Sequence, residues 1–137
     1  MTLTGGLSIY RESYVSWEMF SNEDLILAEF IKNNTAKDSI FLTSDRHNNP
    51  VPCLTGRQIL MGYRGWLWTY GINYSKREKD INKMYSGEPG SKELINYYGV
   101  DYVLIESAQP SVNVDYNFFD QNYDKVFESS NFKLYKI

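Results

Sequence analysis

The chain has 137 residues, of which 42% are hydrophobic and 16% aromatic, and its formal net charge is −3. This length suits one globular domain with a single core, and twelve tyrosines with only four prolines exclude a disordered chain. The acidic balance excludes nucleic acid as a partner, because phosphate binding needs clustered positive charge.

The cysteine content and the apolar runs exclude further classes. One cysteine, Cys53, rules out an internal disulfide and any multi-cysteine metal site. Because Cys53 lies in an apolar stretch, we expect it to be buried as a small hydrophobic residue. The longest apolar run, 25–31, is interrupted by Glu29 and is shorter than the roughly 18–20 residues that span a bilayer. The first residues lack the charged and apolar blocks of a signal peptide, so we expect a chain that is soluble when isolated.

The first half of the chain reads as a helix followed by a strand. Residues 1–20 are predicted to be a lead-in to a single α/β domain over 21–137. Ser21 and Asp24 have the spacing of a capping box, which predicts a helix from Ser21 to about residue 33. Residues 39–44 are short and apolar and predict a buried strand, with a polar loop over 45–52 after it.

The middle of the chain mixes a short strand, an aromatic segment and two helices. Residues 58–61 predict a second strand, and 62–71 are predicted to be irregular. Ser75 and Glu78 suggest another capping box for a helix that stops at Gly87. A shorter helix follows and is predicted to end at Gly99 in a left-handed conformation.

The end of the chain completes the sheet. Residues 101–106 predict the clearest strand, 108–122 a loop with at most one helical turn, and 125–128 with 132–137 a hairpin. The predicted fold class is α/β: a small layered domain with a short, mostly parallel sheet, flanking helices and a C-terminal antiparallel hairpin. The strands that end at Ser44 and Glu106 are expected to be parallel neighbours.

Polar residues follow these two strands. Ligands in open α/β sheets bind at the carboxyl ends of the strands, so Asp45, His47 and Glu106 are predicted to approach one small-molecule pocket. They have no spacing typical of a metal site, and no nucleophile motif accompanies Ser44 or Cys53. A lone histidine in such a loop usually bonds to the backbone. We predict no metal and no cofactor, and the catalytic residues stay unassigned.

The aromatic segment has two interpretations. Trp66, Trp68, Tyr70 and Tyr74 either stack on sugar rings or pack against the following helix or a partner domain, and packing is the favoured interpretation. Arg57 is expected to form a structural ion pair with Asp45 or Asp80 rather than to bind substrate. The full set of candidate ligand-binding residues is Asp45, His47, Asn48, Arg57, Tyr63, Trp66, Trp68, Tyr70 and Glu106.

One basic group stands out in the chain. Lys76, Arg77 and Lys79 are its densest basic residues, and Glu78 and Asp80 are interleaved with them. This alternation is typical of a solvated helix face rather than an anion site.

Several sequence blocks together resemble a known kind of protein. They run across most of residues 10–106 and comprise Arg11-Glu12, His47-Asn48-Asn49-Pro50-Val51, Thr55-Gly56-Arg57, Gly62-Tyr63-Arg64-Gly65-Trp66-Leu67-Trp68, Gly71-Ile72-Asn73-Tyr74-Ser75-Lys76-Arg77-Glu78 and Tyr98-Gly99-Val100-Asp101-Tyr102-Val103. The pattern looks like the C-terminal extracytoplasmic soluble domain of polytopic membrane glycosyltransferase-like proteins. These are many-spanning proteins that depend on a lipid-phosphosugar donor.

The resemblance implies a context more than an activity. In such transferases the catalytic acid lies near the first membrane helices, so this chain would be a non-catalytic accessory domain on the extracytoplasmic face of a membrane. Its implied partners are the transmembrane region of the parent protein and a glycan or lipid-linked sugar. The alternative is a stand-alone small enzyme or carbohydrate-binding module that uses Asp45, His47, Arg57 and Glu106.

Overall fold

The computed structural model describes residues 19–108 and 112–137, so most of the predicted lead-in over 1–20 lies outside the described residues. The elements alternate between helices and strands along the chain. In order they are α1 (Asn22–Asn34), β1 (Ile40–Leu42), a π-helical turn (Val51–Thr55), β2 (Gln58–Ile59), α2 (Arg64–Thr69), α3 (Ser75–Ser86), α4 (Ser91–Tyr97), β3 (Tyr102–Glu106), α5 (Tyr116–Asn122), β4 (Asp124–Glu128) and β5 (Phe132–Lys136).

The five strands form one mixed sheet in the order β2-β1-β3-β5-β4. β1 is parallel to both β2 and β3, with Leu42 opposite Val103. The hairpin β4–β5 adds to β3 in antiparallel fashion, with Leu104 opposite Leu134. The sheet and its C-terminal hairpin confirm the predicted α/β class.

The core has two layers because successive side chains of a strand point to opposite faces of the sheet. Phe41, Tyr102 and Leu104 face α1 and the π-helical turn. Val103 and Ile105 face α3, α4 and α5. All five residues of β3 are buried, as expected for a central strand covered on both faces.

The N-terminus of α1 is fixed by the predicted capping box. The Ser21 hydroxyl accepts a hydrogen bond from the Asp24 backbone N–H at 3.2 Å, and the Asp24 carboxylate accepts one from the Ser21 N–H at 2.8 Å. These bonds satisfy two backbone donors that a helix start otherwise leaves unpaired. The capping-box prediction is therefore confirmed at Ser21.

Three local predictions were wrong. Residues 64–69 of the segment predicted as irregular form α2, and α5 occupies two full turns of the predicted loop 108–122. The second capping box does not form: Tyr74 precedes α3 without a side-chain cap, and the Glu78 carboxylate lies 3.0 Å from the guanidinium of Arg64. An ion pair with α2 thus replaces the local cap.

The exposure of Cys53 and the lengths of the helices bear on two further expectations. Cys53 is exposed on the π-helical turn, so the prediction that it is buried was wrong. Within residues 19–108 and 112–137, none of the helices has the length and apolar character needed to cross a membrane.

Candidate functional site

A cavity of about 360 Å³ opens where β1 and β3 end. Since these two strands are parallel neighbours, their carboxyl ends meet at the same edge of the sheet. Asp45 and Glu106, the residues predicted to meet there, both border the cavity. The complete lining is Thr43, Ser44, Asp45, Arg46, Met61, Tyr63, Arg64, Glu78, Ile81, Asn82, Tyr85, Glu106, Ala108 and Val112.

One cluster of charged groups is organised by Arg46. Its Nη2 donates to Asp24 Oδ1 at 2.9 Å, its Nη1 lies 3.3 Å from Glu106 Oε2, and its Nε donates to the Asn48 carbonyl at 3.0 Å. The other oxygen of Glu106 accepts from the Ser44 hydroxyl at 2.6 Å. Burial raises the pKa of Asp24, but the hydrogen bonds from Arg46 and Ser21 outweigh that effect and the net pKa is lowered. The loop after β1 is thereby tied to α1 and to β3.

A second cluster is organised by Arg64 on α2. Its Nε donates to Asp45, and its Nη1 lies 3.0 Å from Glu78 Oε1 on α3. The hydrogen bond to Asp45 raises the pKa of the Arg64 guanidinium above its ordinary value. Each of the two arginines is therefore shared by two carboxylates, and each cluster carries a formal charge of −1.

Aromatic rings stand beside the second cluster. Tyr63 borders the cavity, and the His47 ring lies edge-on to Tyr63 at 5.2 Å and to Trp66 at 4.9 Å between centroids. His47 Nδ1 is 2.7 Å from the Asn48 side-chain oxygen. A Cβ atom on Gly65 would lie 2.5 Å from the Tyr63 ring, so only glycine permits this ring position.

The interior of the cavity is mostly apolar. Met61, Ile81 and Tyr85 supply buried surface, and the Tyr85 hydroxyl donates to the Leu104 carbonyl at 2.8 Å. A ligand here would meet apolar walls with a few fixed polar groups, which is typical of small-molecule sites.

A smaller cavity of about 230 Å³ adjoins the first. Arg46 and Glu106 border both cavities, whereas Asp24, Ser107 and Asn131 border the smaller one. The Arg46 side chain therefore stands between two recesses along one edge of the sheet.

Three predicted site residues lie outside this region. Arg57 is buried and does not border the cavity: its guanidinium donates to the carbonyls of Lys32, Thr35 and Thr55. The expected ion pair of Arg57 with Asp45 or Asp80 does not form, because Asp45 binds Arg64 and Asp80 binds Lys76.

Trp68 and Tyr70 are the other two. They point into solvent, with 76% and 80% of their surface exposed, so they do not pack onto the following helix. Packing of these side chains against a partner domain stays a prediction. Of the four residues named for a small enzyme, Asp45 and Glu106 border the cavity, and His47 is placed beside it only through Tyr63.

Metal binding finds no support in this arrangement. In the described ranges 19–108 and 112–137, no three His, Cys, Asp or Glu side chains are placed to hold a metal ion.

The predicted set of site residues did not include four members of the two charged clusters, which are Ser44, Arg46, Arg64 and Glu78. Two of them lie beside predicted residues, since Ser44 and Arg46 flank Asp45 after the same strand. Arg64 and Glu78 gave no signal, because their meeting depends on how α2 packs against α3.

Comparison with known proteins assigns no family. No family model matches the sequence, and a search of curated proteins finds no match. Function must therefore be argued from the site.

Proposed function

We propose that this chain is a non-catalytic accessory domain that binds a neutral sugar in the cavity at the ends of β1 and β3. The observation that carries the proposal is a repeated arrangement of charges. Arg46 and Arg64 both border this cavity, and each of them lies between two carboxylates. The ligand would be part of a glycan or of a lipid-linked sugar.

Charge favours a neutral ligand over a phosphate. Each guanidinium is already balanced by two carboxylates, so a bound phosphate would bring its own charge close to a net negative surface. A sugar adds no charge, and its hydroxyl groups both donate and accept hydrogen bonds. The carboxylates would accept from those hydroxyls and the remaining guanidinium N–H groups would donate to them.

The two clusters are also preorganised for this purpose. Asp45, Arg64 and Glu78 hold one another in fixed positions, so binding would cost little side-chain entropy. Charge-assisted hydrogen bonds are roughly twice as strong as neutral ones. Tyr63 and the apolar wall around Met61 would contact the C–H face of a sugar ring, as aromatic side chains commonly do with apolar surfaces.

The accessory role follows from the resemblance of the sequence blocks to the soluble tail of membrane glycosyltransferase-like proteins. On this proposal the domain sits on the extracytoplasmic face of a membrane and docks on the transmembrane region of its parent protein. The cavity would then hold part of the acceptor glycan or of the donor while chemistry occurs elsewhere. The engagement of Asp45 and Glu106 by arginines supports a binding role, since both carboxylates are committed to ion pairs.

The test is a titration of the ¹⁵N-labelled chain with glucose, mannose and N-acetylglucosamine, followed by NMR chemical shifts. Inorganic phosphate and uridine diphosphate serve as anionic comparisons. We expect a neutral sugar to shift the amides of the loop after β1, of α2 and of the first turns of α3. Asp45→Asn should weaken that binding at least about tenfold, because one charge-assisted hydrogen bond is worth about 1.5–3 kcal/mol.

The matched control is Glu128→Gln on β4, which removes an equal charge from a carboxylate that does not border the cavity. It should leave sugar binding unchanged. Preferential binding of phosphate, or sugar-induced shifts confined to residues away from the cavity, would overturn the proposal.

A further inference from the structure

A second surface of the domain is unusually apolar for one that faces water. Trp68 and Ile72 border one recess, and each has more than half of its surface exposed. Ile72 also borders a groove that includes Tyr97, which is 76% exposed. Large exposed apolar side chains that cluster in this way mark an interaction surface. We call this set, together with Lys76, the Trp68 face.

The Trp68 face is distinct from the sugar cavity. Successive residues of an α-helix are rotated by about 100°, so residues two apart point to nearly opposite sides. Trp66 contacts the His47 ring next to the cavity, whereas Trp68 borders a different recess with Ile72. The one-and-a-half turns of α2 thus separate the two surfaces.

Positive charge lies next to this apolar surface. Lys76 borders the same groove as Ile72, and its side chain is 83% exposed. α3 contains four basic and two acidic residues, a local excess of two positive charges in a chain of net charge −3. Its two carboxylates are engaged: Glu78 binds Arg64, and Asp80 accepts from the Tyr98 hydroxyl at 2.6 Å while lying 3.6 Å from Lys76.

We propose that the Trp68 face binds the headgroup layer of a lipid bilayer that contains anionic lipids. Trp and Tyr concentrate at membrane–water interfaces because an apolar ring and a polar N–H or O–H suit that boundary. Trp68 and Tyr97 would enter the headgroup layer, Ile72 would reach the acyl boundary, and Lys76 would pair with lipid phosphates. This binding goes beyond the proposed sugar binding and does not depend on it.

Charge and symmetry favour lipid over a second copy of the chain. A twofold interface brings the same surface of each copy together, so the basic α3 would face itself and the lysines would repel one another. An anionic bilayer instead supplies opposite charge over a wide flat area. A protein partner, such as the transmembrane region of the parent protein, is the remaining occupant, and the experiment below distinguishes it.

The test uses the 137-residue chain with large unilamellar vesicles of phosphatidylcholine and phosphatidylglycerol at 3:1, and with vesicles of phosphatidylcholine alone. Two variants each retain one of the two α2 tryptophans as reporter: Trp17→Phe with Trp66→Phe retains Trp68, and Trp17→Phe with Trp68→Phe retains Trp66. We expect the mixed vesicles to sediment the protein, to shift Trp68 emission to the blue and to expose Trp68 to a brominated-lipid quencher. Trp66 should respond far less.

The double change Trp68→Ala with Tyr97→Ala should weaken vesicle binding at least about tenfold, because it removes most of the inserted apolar area. Lys76→Gln should weaken it about fivefold, since one lysine near an anionic surface is worth about 1 kcal/mol. The matched control is Leu25→Ala with Ile26→Ala, two exposed apolar residues on α1, which should bind as the unchanged chain does.

Three results would overturn the inference. The protein does not sediment with the mixed vesicles at low ionic strength; the α1 control loses binding as the Trp68 variant does; or Trp66 rather than Trp68 is quenched from the bilayer. Failure to sediment with vesicles would indicate that the Trp68 face binds a protein partner instead of lipid. The sugar titration is measured without lipid, so its outcome is independent of these results.

Discussion

Arg46 and Asp24 meet across 22 residues of sequence, with Arg46 Nη2 2.9 Å from Asp24 Oδ1. Asp24 is also the residue that closes the capping box of α1 through Ser21. A single carboxylate therefore both starts a helix and anchors the loop that follows β1. The loop carries Asp45 and His47, so the start of α1 helps to position the candidate site.

The first prediction concerns Asp24→Asn. The variant weakens the hydrogen bonds from Arg46 and Ser21, and we expect a loss of about 2 kcal/mol in the free energy of unfolding, measured by urea denaturation at pH 7. The folded-state pKa of Asp24 is lowered below the ordinary value of 3.8, so its ionised form contributes stability above about pH 4. That contribution disappears as the pH falls through the lowered pKa.

The unchanged chain should therefore lose more stability than Asp24→Asn between pH 5 and pH 2. Glu128→Gln on the exposed hairpin is the control for removal of a surface carboxylate, and it should leave stability at pH 7 almost unchanged. Parallel pH–stability curves for Asp24→Asn and the unchanged chain would show that the ionised Asp24 carboxylate does not stabilise the fold.

The second prediction concerns Gly65→Ala. The added Cβ would meet the Tyr63 ring at 2.5 Å, so the ring must move and its contacts with His47 and Trp66 must change. We expect thermal stability close to that of the unchanged chain, because the ring is only partly buried, but altered amide shifts around Tyr63 and weaker sugar binding. Gly62→Ala is the matched control, since a Cβ there has nothing within 4 Å. If the amide shifts around Tyr63 are the same in Gly65→Ala and Gly62→Ala, Gly65 does not determine the position of the Tyr63 ring.

The third prediction separates Arg57 from the site. Its guanidinium donates to the last carbonyls of α1 and to Thr55, where a positive charge also complements the helix dipole. Arg57→Met should lower the free energy of unfolding by about 2–3 kcal/mol, because buried carbonyls lose charged donors. Any sugar affinity of the folded variant should be unchanged. A variant that is fully stable but loses sugar binding would place Arg57 in the site.

The fourth prediction uses the exposed thiol of Cys53. A disulfide reagent such as dithionitrobenzoate should label the native protein completely, at a rate close to that of the urea-unfolded chain. Cys53→Ser should abolish labelling and cost less than about 1 kcal/mol, since no core packing is lost. Labelling that requires denaturant would mean that the π-helical turn buries the thiol.

The parts of the fold that the sequence predicted depend on local signals. The capping box at Ser21, the apolar run before Glu106 and the turn between β4 and β5 each act through neighbours in sequence, and each appears in the structure. The parallel pairing of β1 with β3 was also predicted from the sequence, because helical segments between two short strands favour a parallel crossover.

Two of the failures have a common physical origin in long-range contacts. Glu78 has the spacing of a capping residue, yet its carboxylate binds an arginine on another helix. Arg57 was expected to bind an acidic side chain, but its guanidinium donates to carbonyls at the end of α1. Neither contact can be predicted from residues close in the chain. The Cys53 prediction failed for a local reason, since a π-helical turn places its thiol outward despite the apolar neighbours.

The position of Arg46 gives the two cavities a shared side chain. It reaches from the loop after β1 to both Asp24 and Glu106, and it borders the recess near Asn131 as well as the larger one beside Tyr63. Glu106 and Ala108 also border both recesses. A molecule bound in either recess would therefore meet the same guanidinium, and a ligand that displaced it from Asp24 would remove a hydrogen bond at the start of α1.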